Sequence, residues 1–555
     1  MKCLKAVPKD SSVRQPEELQ SNAPLRWSVG RGTDVWTLLV ASAAGDYATV
    51  RQLLDDQPEL VHAHYSYRTP LHFAVRENRS EIVFLLLDRG IDPTEMGGDD
   101  TLLEVCADRG HHQLREALEA RLAAGLNISA DGEALAAAIR GHDFLRLREL
   151  LDADPAAVSA GDARSNQPLH WAVMTRQPDM VDELLSRGAD IDAPRVDGAR
   201  PIQLCNGDYS FRGWSEVPND WPTTARAMLD HLRNRGAFVD IVTAAHIGDL
   251  DRVRFLLRED IGLADKPSPY VSYYAGSGTP LANAAAAGHL EIVRLLLASG
   301  ANPNLPEPNI APDGHALYAA VANRHREIAR TLLEHGAFPN PEVESSADAL
   351  TRAILNGDQP MADLLCAFGA YRKLHLLAHY GDVRTAAAMF AANPGLADDA
   401  AALASAAAEG HEPLVRLMLR YVPDLPTRIA SPAGWNSATS RMLAELLYRN
   451  GMDPNRPDWL GVTQLHRFAR GGDVENARLA IAYGADLSAR DEDICSTPLG
   501  WAAKFGQLEM VEFLLDQGAR SDEPDAPVWA TPIAWASRRN HREIADVLAR
   551  ATQIS

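Results

Sequence analysis

The sequence predicts an all-α solenoid of about 16 helix–turn–helix units joined by hairpin-like loops. Three observations carry this. The block Gly278-Thr279-Pro280-Leu281, then Gly288-His289-Leu290-Glu291-Ile292-Val293, then Leu295-Leu296-Leu297 and Gly300-Ala301-Asn302 recurs along the chain. It returns as Thr69-Pro70-Leu71-His72 with Glu81-Ile82-Val83, Leu85-Leu86-Leu87 and Gly90, and as Thr497-Pro498-Leu499 with Glu509-Met510-Val511, Leu514-Leu515 and Gly518. Second, a turn marker can be followed at Gly45, Asn78, Gly110, Gly141, Arg176, Gly248, Gly288, Arg324, Gly357, Gly381, Gly410, Gly472, Gly506 and Asn540. Most spacings are 31 to 36 residues, and gaps of 72 and 62 each hold one further unit without a marker. Third, 46 % hydrophobic and 23 % charged residues suit a folded chain. No window reaches the roughly 18 consecutive apolar residues of a membrane span.

Each element of a unit has a physical reason. Thr69 is a good N-cap, because its hydroxyl accepts from an otherwise unpaired N–H of the first turn. Pro70 then occupies the first helical position, where a missing N–H costs nothing. The first helix is short and rich in Ala, so neighbours approach closely. Glu81 and the Ile82, Val83 and Leu86 face supply an amphipathic second helix. Gly90 ends it as a residue tolerant of the left-handed conformation, and Asp92-Pro93 starts the next loop. No unit buries its apolar face alone, so stacking must provide the core. The 555 residues would otherwise suggest three or four domains. Here length means more repeats.

These residues resemble the ankyrin repeat, over about residues 34 to 555. The expected organisation is a non-repeat tail at 1–33, partly docked by Leu25 and Trp27, then N-terminal repeats at 34–342 with an inserted loop at about 206–222. Degenerate repeats at 343–458 follow, then C-terminal repeats with a polar cap at 459–555. In the degenerate stretch Thr-Pro-Leu disappears, one marker gap shrinks to 24, and Pro423, Pro426, Pro432 and Gly434 suggest a loop. A bend, a softer joint and a boundary between two stacks all remain open there. The resemblance implies that His72, His170 and His466 hydrogen-bond within and between repeats. It also places His111, His142, His289, His325, His411 and His541 in the inter-helix turns as scaffold residues.

The chain has little sequence support for chemistry. Its 54 basic and 75 acidic residues leave a net charge of −21, which opposes polyphosphate, so no nucleic acid is expected. Cys3, Cys106, Cys205, Cys366 and Cys495 lie at least 99 residues apart, so no short metal cluster forms. His111-His112 lacks a companion ligand, Gly276-Ser277-Gly278 is not a nucleophile elbow, and Gly30-Arg31-Gly32 is a lone fragment. No catalytic, cofactor or metal site is expected. Asp55, Asp92, Asp152 and Asp192 read as solvated or capping residues at repeat edges. No apolar leader follows Lys2, Lys5 and Lys9, so the expectation is a cytoplasmic protein without a signal peptide or membrane contact.

Function is therefore sought where a partner protein would dock. The resemblance implies a concave face of loop tips and first helices. Bulky residues there are Tyr65 and Tyr67 beside His64 and Arg68, Tyr270, Tyr273 and Tyr274 in a Gly/Pro-rich tip, and Trp459 and Trp529 at later tips. The 206–222 loop adds Tyr209, Phe211, Trp214 and Trp221, which either contact a partner or plug a gap in the stack. Trp171, Trp501 and Trp535 lie inside first helices and read as packing residues. The expected role is a non-catalytic protein-binding module or scaffold whose acidic surface favours a partner with basic patches. An acidic inhibitor of one basic target is the alternative, and a small-molecule or enzymatic site in the 206–222 loop or the 357–459 region is a third reading.

Overall fold

The computed structural model describes residues 14–94, 100–207, 222–270, 276–307, 310–343, 347–429 and 435–554. Helix pairs follow one another from Gly32–Ala44 with Tyr47–Asp56 to Pro532–Arg538 with Arg542–Ile554. Among the described residues the β-structure is one two-stranded hairpin, Glu342–Val343 with Ala347–Asp348, plus isolated bridges. An all-α repeat solenoid is what the chain forms.

The inter-helix turn behaves as its residue types demand. Thirteen of the fourteen markers have φ between 51° and 85°, the left-handed region. The exception is Gly141, which caps the longer helix Ala130–Arg140 at φ −79°, so the left-handed residue becomes His142 at φ 56°. Glycine is needed at Gly288 for a second reason. A Cβ there would meet the His325 ring of the next repeat at 2.8 Å. Gly248 stands in the same relation to His289, at 2.6 Å.

First helices begin as the Thr-Pro pattern predicts. The Thr69 hydroxyl accepts from the His72 N–H at 3.2 Å and the Thr279 hydroxyl from the Ala282 N–H at 3.2 Å. The helix Pro280–Ala287 packs between Ile241–Ile247 and His315–Ala322, and its alanines permit the close approach. Val293 and Leu296 of the partner helix Leu290–Ala298 are fully buried. Each such side chain contributes roughly 1.5–3 kcal/mol of transfer free energy.

At two places the described residues show only one α-helix of a pair, and these are the two gaps without a marker. A 3-10 turn, Pro201–Leu204, precedes the helix Ala225–Asn234, and another, Leu425–Arg428, precedes Ala438–Arg449. Proline early in each turn suits a start, but in neither place does an α-helix follow among the described residues before the second helix. In the later case the fully buried Trp435 stands just before the helix and adds bulk to the core.

The chain divides into two compact bodies. One comprises Asn22–Ala107 and His111–Tyr371, the other Arg372–Ser555 with Met1–Ser21 and Asp108–Gly110. Within the first, a bridge between Pro24 and Arg31 shapes a hairpin whose Ser28 hydroxyl accepts from the His64 N–H at 2.9 Å.

Candidate protein-interaction surface

Several tips share one recurring hairpin. Asp162 N–H donates to the Asn166 carbonyl at 3.0 Å, Arg195 N–H to Ala199 at 2.9 Å, and Asp458 N–H to Val462 at 3.0 Å. The fourth residue of each is left-handed, namely Ser165 at φ 63°, Gly198 at 83° and Gly461 at 79°. The first residue does most of the holding. The Asp162 carboxylate accepts from the N–H groups of Arg164 at 2.9 Å and Asn166 at 2.8 Å, and from Trp171 Nε1 at 2.7 Å. Burial holds this carboxyl above its ordinary range even though Trp171 and Asn166 donate to it. Asp491 repeats the arrangement with Ile494 N–H at 2.7 Å, Ser496 N–H at 3.0 Å and Trp501 Nε1 at 2.9 Å. The first-helix tryptophans are thus packing residues whose indole N–H groups tie helix to tip. Trp535 Nε1 uses the Ser496 hydroxyl, 2.7 Å away.

One methylene changes what the tip acid does. Glu307 and Glu523 stand where Asp162 stands, and their longer side chains reach back to the capping threonine of the preceding repeat. Glu307 accepts from the Thr279 N–H at 2.9 Å and its hydroxyl at 2.7 Å, and Glu523 from the Thr497 hydroxyl at 2.5 Å. The cation beside Glu307 is His315 at 2.9 Å, whereas beside Glu523 it is Arg490 at 3.0 Å.

The histidines serve the stack. Nε2 of His111, His289, His325, His411 and His541 lies 2.9 to 3.2 Å from the carbonyl of a residue in the first helix of the preceding repeat. At the same position Gln177 and Gln507 donate to Ile139 and Arg470 at 2.8 and 3.0 Å. His170 accepts from the Gln167 N–H at 3.0 Å through Nδ1 and bonds the Ala193 carbonyl at 2.9 Å through Nε2. His466 does likewise with Thr463 at 3.1 Å and Ser496 at 3.1 Å. Burial, chiefly, pushes His170 down to about 3 and His466 to about 4, so both are neutral at ordinary pH.

Of the expected contact residues that are described, Tyr67 is the most outward. It is 66 % exposed and stacks on His64, with ring centroids 6.4 Å apart. Its tip is a tight two-residue turn, closed by Tyr65 N–H to Arg68 carbonyl at 3.1 Å and the reverse bond at 2.9 Å. Both turn residues are left-handed, Ser66 at φ 47° and Tyr67 at 62°, in a turn that normally selects Asn and Gly. Tyr65 is half-buried. Tyr270 departs from expectation. It is 3 % exposed, because the Arg195 guanidinium lies 5.3 Å from its ring and Pro269 packs tightly on Gly198, so it braces neighbouring tips. Trp459 is half-buried, and its carbonyl accepts from the Arg14 N–H at 3.2 Å. Trp529 is half-buried edge-on against Trp535, 5.9 Å away. Tyr209, Phe211, Trp214, Trp221, Tyr273 and Tyr274 lie outside the described residues.

The edge aspartates, expected to be solvated or capping, divide into one local cap at Asp92 and three that tie one repeat to the next. Asp92 accepts from the Thr94 N–H at 2.9 Å, Asp192 from the Phe238 N–H of the following repeat at 2.9 Å, and Asp55 and Asp152 pair with Arg89 and Arg187. An open groove of about 410 Å³ lies between the second helices Phe144–Ala153 and Pro178–Ser186, lined by Phe144, Arg148, Asp179, Asp182, Glu183 and Ser186. Glu183 bonds Arg148 and Arg187, each at 2.8 Å, and those bonds hold its carboxyl below the ordinary range. Asp182 is engaged by Arg235 and by His231. Among the described residues no group of three His, Cys, Asp or Glu could hold a metal ion, and no helix is long and apolar enough to cross a membrane.

Comparison with known proteins agrees with this construction. A family model described as ankyrin repeats (3 copies) matches residues 25–96, 103–195, 241–343 and 436–525. Palmitoyltransferase ZDHHC13 from Homo sapiens and from Pongo abelii is 26 % identical over 207 residues, 37 % of this chain and 31 % of theirs. The Mus musculus protein is 27 % identical over 139 residues, 24 % of this chain and 22 % of its own. The match thus spans less than a third of those relatives. The capped helix pairs, the left-handed turns and the family match agree, and the chain belongs to the ankyrin-repeat family.

Proposed function

We propose that this chain is a non-catalytic, cytoplasmic protein-binding module that docks a partner on its repeat tips and first helices. Supporting it is the family itself, whose stacked tips form an extended surface. The observation that carries it furthest is the tip at Tyr65–Arg68. Two left-handed non-glycine residues there hold an aromatic ring outward, a conformation costing about 1–3 kcal/mol per residue. A net charge of −21 favours a partner with basic patches, mainly by speeding encounter. The transferase activity in the relatives' name stays with those proteins.

The same charge favours a narrower second reading, an inhibitor that occupies the basic site of one target. The two differ in the partners captured by full-length protein from its own host's lysate at low and moderate salt. A module yields a stoichiometric partner set at low salt that thins at moderate salt. An inhibitor yields one partner whose tight binding weakens steeply with salt. No enriched protein at either salt contradicts both. A variant lacking residues 206–222 shows whether that loop contributes.

A further inference from the structure

We propose that Glu307 and His315 form a pH-sensitive clasp on Thr279, fastening the tip that ends there to the following repeat. The proposal rests on the tip-docking reading only for its consequence, since the clasp regulates the presentation of a tip.

The geometry is that of a clasp. Thr279 caps the helix Pro280–Ala287, and both its N–H and its hydroxyl donate to Glu307 of the next tip, at 2.9 and 2.7 Å. The other carboxylate oxygen meets His315 Nδ1 at 2.9 Å. Glu307 is 2 % exposed, so its charge needs the partner cation. The His315 side chain is 18 % exposed, which lets solvent exchange its proton. The carboxylate also lies close against Gly278, where a Cβ would fall 2.6 Å from Oε2. Gly278 in turn closes the tip, donating to the Tyr270 carbonyl at 3.1 Å and accepting from the Ser268 N–H at 2.8 Å. Loosening Glu307 therefore acts on both Gly278 and Thr279.

The other body holds the same joint with a different cation. Glu523 grips Thr497 and is met by Arg490 at 3.0 Å. Arginine keeps its charge across the working pH range, whereas histidine does not. Around His315, Glu307 is the charged group that acts on it, the Tyr318 ring lies 6.2 Å away, and nearby Asp313 is turned to Arg26 at 3.8 Å. Burial pulls His315 toward the neutral form, but the charge and hydrogen bond of Glu307 outweigh it and raise its pKa above 6.5. Burial likewise raises Glu307, but His315 and Thr279 outweigh it and bring the carboxyl below 4.5. A raised histidine contributes fully below 6.5 and loses its contribution as pH climbs through the folded value. The depressed Glu307 contributes above 4.5 and loses it as pH falls. The clasp is thus tightest between those limits and loosens on the alkaline side.

Two readouts on the full-length chain test this, and neither involves a partner, so failure of the docking reading leaves them intact. Hydrogen exchange at the imidazole C2 position, followed by mass spectrometry, gives the titration midpoint of His315. The expected midpoint lies above 6.5 and drops in Glu307→Gln. Backbone exchange of a peptide covering residues 276–283 is then compared at pH 6 and pH 8, with labelling times corrected for intrinsic rate. Protection is expected to fall several-fold at pH 8, while a peptide covering 496–503 holds its protection and His315→Arg removes the change. A His315 midpoint at or below 6.5, a midpoint indifferent to Glu307→Gln, or equal losses in both peptides would overturn the proposal.

Discussion

The tips at Tyr65–Arg68 and Asp162–Asn166 occupy the same place in their repeats and use their side chains in opposite directions. At the second, Asp162 and Asn166 are 2 % and 0 % exposed, and Arg195 of the following tip bonds the Asn166 carboxamide at 3.0 Å. Every polar group named there is turned into the stack. At the first, the turn is two residues long, strained at both, and Tyr67 points out. One kind of tip holds the solenoid together, and the other is where the proposed docking would occur. Loss of stability should follow substitution at the Asp162 kind of tip, and loss of binding substitution at the Tyr67 kind.

The largest expected effect is at the inward tip. Asp162→Ala leaves the buried Trp171 indole N–H and the Asn166 N–H without their acceptor. A loss of about 3 kcal/mol is expected, at about 1–3 kcal/mol per stranded group, seen as a lower midpoint in chemical denaturation. An unchanged midpoint would mean these bonds do not hold the tip. Next comes the joint between repeats. Gly288→Ala forces a Cβ at φ 83° onto the His325 ring and should cost about 2 kcal/mol in the same assay. A neutral result would show the ring can move aside.

Acid should weaken the inward histidines. His170 and His466, held near 3 and 4, stay neutral in the fold while the unfolded chain binds protons below 6.5. Stability therefore falls as pH drops from 6.5, by about 1 kcal/mol per histidine at pH 5.5. Denaturation midpoints measured at pH 7.0, 6.0 and 5.5 check the slope. His466→Gln should flatten it, and an unaltered slope would remove that residue from the account.

How much of this could be read from the residues depends on range. Turns were legible because Gly, Asn and a few Arg mark left-handed positions locally. Only Gly141 misled by one place, since adjacent Gly141 and His142 can both take that conformation and the helix length decides between them. Histidines beside those turns were legible as scaffold for the same reason. The Asp162–Trp171 bond was not, because it joins residues nine apart that meet only after a hairpin folds. Tyr270 sat among prolines and glycines like an exposed loop residue, yet Arg195 of an earlier tip covers it. Trp435 was missed because no local pattern announces a ring inside the core at a Pro- and Gly-rich stretch. The Asp-to-Glu change at Glu307 and Glu523 was a usable signal, since one methylene decides whether a tip acid folds on its own turn or reaches the next repeat.

The smallest expected stability change belongs to the outward tip and decides most. Tyr67→Gly removes the exposed ring and relieves a left-handed non-glycine residue at φ 62°. The measurement pairs a chemical denaturation midpoint with partner capture from one lysate, for the native chain and for this variant. The account predicts a midpoint equal to or higher than that of the native chain, by up to about 1 kcal/mol, with the partner lost. A lower midpoint with the partner retained would contradict it, making Tyr67 one more brace of the stack.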